Sequence, residues 1–166
     1  MPYLTCNSKE ARVELSYKMC HHECRKPQIK GKTMKVSYDQ LKVISDSRGL
    51  VFEPLVADDF PDQRNAHIVL SMPGVVRGNH YHIKGKETIA VLGPALVRFR
   101  EKDETKNVEI PPGQVYRFVF PPGVPHAIKN LGNEPNILMA SNTVVYDPRN
   151  PDSERAVLIE DGITTK

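Results

Sequence analysis

Glycine and proline punctuate this chain so densely that a long helix has little room. Ten glycines and 14 prolines fall in 166 residues, and between Arg64 and Val145 they divide the chain into short segments of alternating apolar and polar residues. Proline removes a backbone donor and glycine weakens any element interior. Alternation with a period of two is the signature of a strand with one buried face. The segments that satisfy it are Arg64 to Met72, Glu87 to Val91, Ala95 to Arg100, Val108 to Ile110, Val115 to Phe120, His126 to Asn130 and Asn136 to Val145. Tyr38 to Leu55 reads as strand, turn, strand, with SDSRG as the turn, and Ala156 to Ile159 as a last strand. Short strands at near-regular spacing predict an all-β, double-sheet jelly roll.

Loops follow from the same reasoning. Asp58 to Gln63 (DDFPDQ) reads as a loop, and Lys102 to Asn107 as a charged turn. Leu131 to Pro135 reads as a hairpin turn, and Tyr146 to Ser153 (YDPRNPDS) as an extended loop. In the strand Arg64 to Met72, the set Ala66, Ile68, Leu70 and Met72 reads as core. The opposite set, Asn65, His67, Val69 and Ser71, is more polar and suits the lining of a cavity.

Residues 1–37 differ in character and are expected to form an N-terminal arm, with the folded domain spanning 38–166. Ser8 to Cys24 suits a short helix capped by Ser8, and Lys26 to Lys35 a linker. Cys6, Cys20 and Cys24 do not have zinc-knuckle spacing, and an odd count does not suggest a disulfide framework. They read as reduced thiols. A net charge of +3 is too slight to argue for nucleic acid. No apolar run reaches transmembrane length and the first residues lack the apolar core of a signal peptide, so a cytoplasmic protein without a membrane partner is expected.

The chemistry concentrates in Gly74 to Gly93, GVVRGNHYHIKGKETIAVLG. His80 and His82 are two apart, so on a strand both imidazoles face one way. A turn at Ile83 to Lys86, folding as a hairpin, would bring Glu87 back against them. Two imidazoles and a carboxylate suit Zn, Fe, Ni, Cu or Mn. A further ligand is available in His126, which follows the rigid turn PPGVP.

These two stretches resemble the paired motifs of the cupin superfamily. The first carries Gly74, His80, His82, Glu87 and Gly93, and the second Gly113, Pro121, Gly123, His126 and Asn130. The resemblance implies an RmlC-like jelly roll, a double-stranded β-helix, in which His80, His82, Glu87 and His126 bind one divalent ion. It also implies a homodimer, with residues 1–37 as a segment exchanged between copies. Arg77 to His82 (RGNHYH), PPGVPHAIKN and YDPRNPD are similar to the metal-binding cupin domain of capsular-polysaccharide nucleotide-sugar synthases. The likeness to dTDP-4-dehydrorhamnose 3,5-epimerases is more distant. Those enzymes use the histidine of RG-x-H as base and lack the metal quartet, whereas here His80 falls in the quartet and the proton acceptor is unassigned.

The activity implied is metal-dependent epimerisation or isomerisation of a nucleotide-linked keto-sugar in polysaccharide biosynthesis. No glycine-rich dinucleotide fingerprint opens the chain, so it is expected to act alone or with a separate reductase. Arg77 is the leading contact for an anionic sugar nucleotide, because a guanidinium pairs bidentately with phosphate. Gln63, Asn65 and His67 are further substrate-binding candidates, and Tyr116 a candidate proton donor. An Fe(II)-dependent dioxygenase and a non-catalytic ligand-binding cupin are the alternative readings.

Overall fold

The computed structural model of the protein describes residues 35–160. Its strands are β1 (Ser37–Gln40), β2 (Ile44–Asp46), β3 (Gly49–Val51), β4 (Asn65–Ser71), β5 (Val76–His82) and β6 (Glu87–Leu92), followed by β7 (Ala95–Glu101), β8 (Glu104–Ile110), β9 (Val115–Phe120), β10 (His126–Asn130), β11 (Asn136–Asn142) and β12 (Ser153–Arg155). Two five-stranded sheets have the orders β1-β9-β6-β11-β4 and β12-β5-β10-β7-β8, while among the described residues β2 and β3 pair only with each other. All pairings are antiparallel. This is the predicted jelly roll. Except for its last three residues, the expected N-terminal arm lies outside the described residues, as do Cys6, Cys20, Cys24 and the helix expected at Ser8 to Cys24.

The inward faces of the two sheets pack against each other through Ile89, Val91, Val97, Phe99, Phe118, Phe120, Ile128 and Leu138. Phe118 and Phe120 stack at 5.8 Å, and Phe99 meets Phe120 edge-on. This apolar half of the barrel leaves the opposite end to polar residues. In the ladder, Glu87 lies opposite Asn142 and Asn142 opposite Asn65, so one row of the inner face carries all three.

That register overturns the core assignment for β4. On β11, Leu138 and Ala140 must face inward with Val91 and Ile89. Pairing with β11 therefore turns Asn65, His67 and Val69 inward and the apolar set outward. Ile68 is 74% exposed, Leu70 58% and Met72 54%, so these side chains are surface and not core.

Four further expectations change. The segment Ile83 to Lys86 is not a hairpin turn: β5 and β6 belong to different sheets, and the chain crosses from one to the other. Leu131 to Pro135 likewise connects β10 to β11 across the sheets. The loop at Asp58 to Gln63 contains a short 3-10 helix, Ala57–Asp62. The last strand is Ser153–Arg155, and Ala156 to Ile159 continues without strand pairing. There the Asn79 side chain replaces a ladder, accepting from Leu158 N and Ile159 N and donating to the Ile159 carbonyl at 2.8–3.1 Å.

Candidate metal centre and adjoining cavity

His80, His82, Glu87 and His126 come together with their ligand atoms all within 4.8 Å of one another, the dimension of one coordination sphere. Glu87 opens β6 in one sheet, while His80 and His82 end β5 and His126 opens β10 in the other. The cluster therefore bridges the two sheets. Glu87 and His126 are 4% and 1% exposed. His126 also stacks on Phe120 at 4.3 Å, which fixes the plane of its ring.

The backbone orients the imidazoles. His82 Nδ1 lies 3.0 Å from the Asp152 carbonyl and His126 Nδ1 3.0 Å from the Val124 carbonyl. A carbonyl only accepts, so each Nδ1 donates and each Nε2 is left with its lone pair. Those Nε2 atoms point at Glu87 Oε2, at 3.1 Å for His82, 2.9 Å for His126 and 4.0 Å for His80. Among the described residues the three Nε2 atoms and Glu87 Oε2 are buried without a hydrogen-bond partner while the imidazoles are neutral. Lone pairs converging on a carboxylate are unfavourable unless positive charge lies among them, supplied by protons or by a cation. Intermediate nitrogen and oxygen donors in this number fit a first-row transition ion.

Protons can meet the same need for positive charge. Burial disfavours charge on Glu87, yet the His126 and His82 rings beside it, which hydrogen-bond to it once protonated, hold its carboxyl well below the usual range. Burial also disfavours a proton on His82, but the hydrogen bond and charge of Glu87 outweigh it and raise the pKa. His80 goes the other way, down to about 4, because of burial and then the charge of His126.

Asp152 reinforces the arrangement. Its carboxylate accepts from Lys84 N at 3.0 Å and Gly85 N at 2.7 Å, and its carbonyl from Ile83 N at 3.2 Å. The crossing segment between His82 and Glu87 is thus clamped by the loop before β12. Gly123 N, in the PPGVP turn, donates to the His82 carbonyl at 2.7 Å and ties the two motifs together. Sequence reasoning missed Asp152; its only signal was the YDPRNPD stretch that carried the resemblance.

A local irregularity explains the RGN preceding His80. On a regular strand Arg77 and His80, three apart, would face opposite ways. In the pairing of β5 with β10, His126 opposes His80, Ala127 opposes Gly78 and Ile128 opposes Arg77, leaving Asn79 as an extra residue. Gly78 and Asn79 both have positive φ, 83° and 54°. The bulge turns Arg77 to the inner face, opposite the buried Ile128, so guanidinium and imidazoles share one side.

The cluster opens into a cavity of about 510 Å³ whose walls include Asn65, His67, Asn142, Val144, Tyr146, Pro151 and Asp152. A second space of about 200 Å³ lies on the Arg77 side, between His67, Val69, Ile89 and Ile128. Of the substrate-binding candidates, Asn65 and His67 line the larger cavity and Arg77 and His67 the smaller. Among the described residues the Arg77 guanidinium makes no ion pair. Gln63 stands apart, its amide donating to the Asp59 carbonyl at 3.0 Å. Tyr116 packs against the hydrophobic core and lines neither cavity.

A jelly roll of two five-stranded sheets with a His₃Glu cluster inside the barrel defines a cupin. The chain belongs to the polysaccharide biosynthesis C-terminal domain family, whose model matches residues 44–154. It is similar to UDP-2-acetamido-2,6-beta-L-arabino-hexul-4-ose reductase of Pseudomonas aeruginosa, 32% identical over 120 residues, covering 70% of this chain and 31% of the reductase. It also resembles the probable low-salt glycan biosynthesis epimerase Agl13 of Haloferax volcanii, 27% identical over 135 residues, covering 72% of this chain and 85% of the epimerase. Among solved structures, the capsular polysaccharide assembling protein CapF from Staphylococcus aureus superposes with a TM-score of 0.54 at 27% identity, over 71% of this chain and 33% of CapF. The chain thus spans about a third of the length of the reductase and of CapF. Among the described residues no helix is long and apolar enough to cross a membrane.

Proposed function

We propose that this protein epimerises or isomerises a nucleotide-linked keto-sugar in polysaccharide biosynthesis, using one divalent ion. The observation that carries the reading is the His80, His82, Glu87 and His126 cluster, with its uncompensated lone pairs, at the wall of a cavity of about 510 Å³. That volume lies in the range of small-molecule sites. The relatives named above support the substrate class: one is named a reductase of a UDP-linked hexulose and another a probable glycan biosynthesis epimerase.

Zn, Ni, Fe, Mn or Cu held by the quartet would supply Lewis acidity to a carbonyl oxygen of the substrate, lowering the cost of negative charge as a neighbouring C–H proton departs. The chain's own residues do the rest. Asp152 and the Val124 carbonyl hold the imidazoles in the tautomer that leaves Nε2 free. Arg77, turned inward by the bulge, offers a bidentate donor to phosphate or to a sugar oxygen. Asn65 offers its amide to sugar hydroxyls from the opposite wall, where among the described residues its buried Oδ1 has no partner.

The test uses heavy water. Metal-loaded protein incubated with UDP- or dTDP-linked 4-keto sugars should introduce deuterium at the carbon beside the carbonyl. His82→Ala should lose both the ion and the exchange. No exchange across the panel refutes the reading; substrate-dependent oxygen uptake with Fe(II) would then favour the dioxygenase, and tight binding without turnover a ligand-binding cupin.

We also propose a homodimer. Ile68, Leu70 and Met72 of β4, with Ile137 of β11 opposite Leu70, form an exposed apolar face at a sheet edge. Such a face is better covered than wetted. Sedimentation should give a dimer, and Leu70→Glu should shift it toward monomer; a wild-type monomer at micromolar concentration contradicts the proposal.

A further inference from the structure

The quartet leaves the proton acceptor to be found elsewhere, because its imidazoles and carboxylate are turned toward one another. The remaining titratable groups around the two cavities are few. In the larger, Asp152 already accepts from Lys84 N and Gly85 N through its two carboxylate oxygens. Tyr146 stands at the rim and borders the larger space without reaching the smaller. In the smaller, Arg77 has no acceptor and gives up no proton in a protein. Among the described residues His67 alone, outside the quartet, borders both spaces.

Its position follows from the ladder. His67 lies opposite Ala140, and Ala140 opposite Ile89, which is buried in the core, so the imidazole projects from the inner face. This row is adjacent to the one holding Glu87, Asn142 and Asn65. Among the described residues the His67 ring makes no hydrogen bond or ion pair. Imidazole both takes and returns a proton near neutral pH. Arg77, Glu87 and His80 are the charged or titratable groups that border the smaller space with it, together with His126.

We propose that His67 is the general base of the reaction and, where the outcome is isomerisation, also its general acid. This rests on the keto-sugar reading above. A ring nitrogen of His67 takes the proton from the carbon beside the substrate carbonyl. The C–H bond breaks, its electron pair forms the carbon–carbon double bond, and the carbonyl π pair moves to oxygen. Epimerisation needs a proton on the same carbon from the other face, which solvent in the open cavity supplies while His67 gives up its own proton to solvent. In isomerisation His67 returns the proton to the former carbonyl carbon, and the hydroxyl proton of the neighbouring carbon moves to the former carbonyl oxygen as the new carbonyl forms. No oxidant or reductant is consumed in either case.

The experiment compares wild type, His67→Ala, His67→Gln and Tyr146→Phe, all metal-loaded, in deuterium exchange into UDP- and dTDP-linked 4-keto sugars. General acid–base groups contribute about 10²–10⁴-fold. Both His67 variants are expected to lose at least about 100-fold in kcat, with metal content, melting temperature and inhibition by UDP unchanged. Added imidazole is expected to restore part of the His67→Ala rate, which a merely structural role would not show. Exchange in wild type that survives in His67→Gln overturns this assignment alone, and loss in Tyr146→Phe would then name its replacement. A His67 defect confined to KM returns the residue to substrate binding and also overturns the assignment. Absence of exchange in wild type overturns it together with the keto-sugar reading.

Discussion

Gly78 is the residue on which the geometry of the site can be tested most sharply. Two separate costs meet there. Its φ of 83° is a conformation that L side chains rarely adopt, and such strain costs about 1–2 kcal/mol. A Cβ would also lie 2.8 Å from the His126 carbonyl oxygen and 3.3 Å from Ala127 Cα. Both neighbours are main chain in the adjacent strand, and overpacking of this kind costs about 1–3 kcal/mol. Gly78→Ala should therefore destabilise the fold by about 2–5 kcal/mol, a large part of the ~5–15 kcal/mol typical of a domain. Gly74 separates the two terms, because its φ is 73° but nothing lies within 4 Å of its Cβ position. Gly74→Ala should show the backbone strain only, about 1–2 kcal/mol. With a urea dependence of about 2 kcal/mol per molar, the two midpoints should differ by about 0.5–1.5 M. Relief of the Gly78→Ala clash must move the main chain of His126, so metal affinity should drop in that variant and not in Gly74→Ala. Equal midpoints for the two would refute the close approach of β5 to β10, and with it the bulge that turns Arg77 inward.

Two more outcomes follow from the site. Asp152→Ala removes the acceptor for Lys84 N and Gly85 N but keeps the carbonyl facing His82. Loss of such outer-shell support costs about 10–100-fold in metal affinity, measurable by competition with a chelating dye, and an unchanged affinity would show that the clamp is idle. For pH, His82 is raised above its ordinary value of 6.5, so below the raised value protons compete for its Nε2 and metal affinity should fall about tenfold for each unit the pH is lowered. Without metal, the His82 contribution to stability is complete below pH 6.5 and is lost as pH rises through the raised value. The depressed His80 acts oppositely, and its contribution is lost as pH falls from 6.5 toward about 4. Ion-free protein should thus be most stable near pH 6.5, with Glu87 adding a loss below 4.5; a melting temperature that rises steadily toward acid pH would contradict this.

Much of the molecule can be read along the chain. The strands declare themselves because the period of a pleated strand is local, written in the alternation of Val115 to Phe120 or Ala95 to Arg100. The quartet is also legible, since His80 and His82 share a face by spacing and PPGVP announces where His126 begins. Tertiary structure decided the rest, because it depends on which strand lies beside which. In β4 both faces alternate, and only pairing with β11 turns Asn65 and His67 inward and leaves Ile68 and Leu70 outside. Alternation along one strand cannot say which face is buried; its neighbour's inward residues do. Arg77 would face away from His80 by counting, and only the extra residue opposite β10 reverses it. The crossing at Ile83 to Lys86 passes for a hairpin until the partners of β5 and β6 are known. Asp152 joins the site from 70 residues beyond His82, a distance over which no local pattern reports. Periodicity belongs to the chain; facing and contact belong to the barrel, where each inner side chain is set by strands remote in sequence.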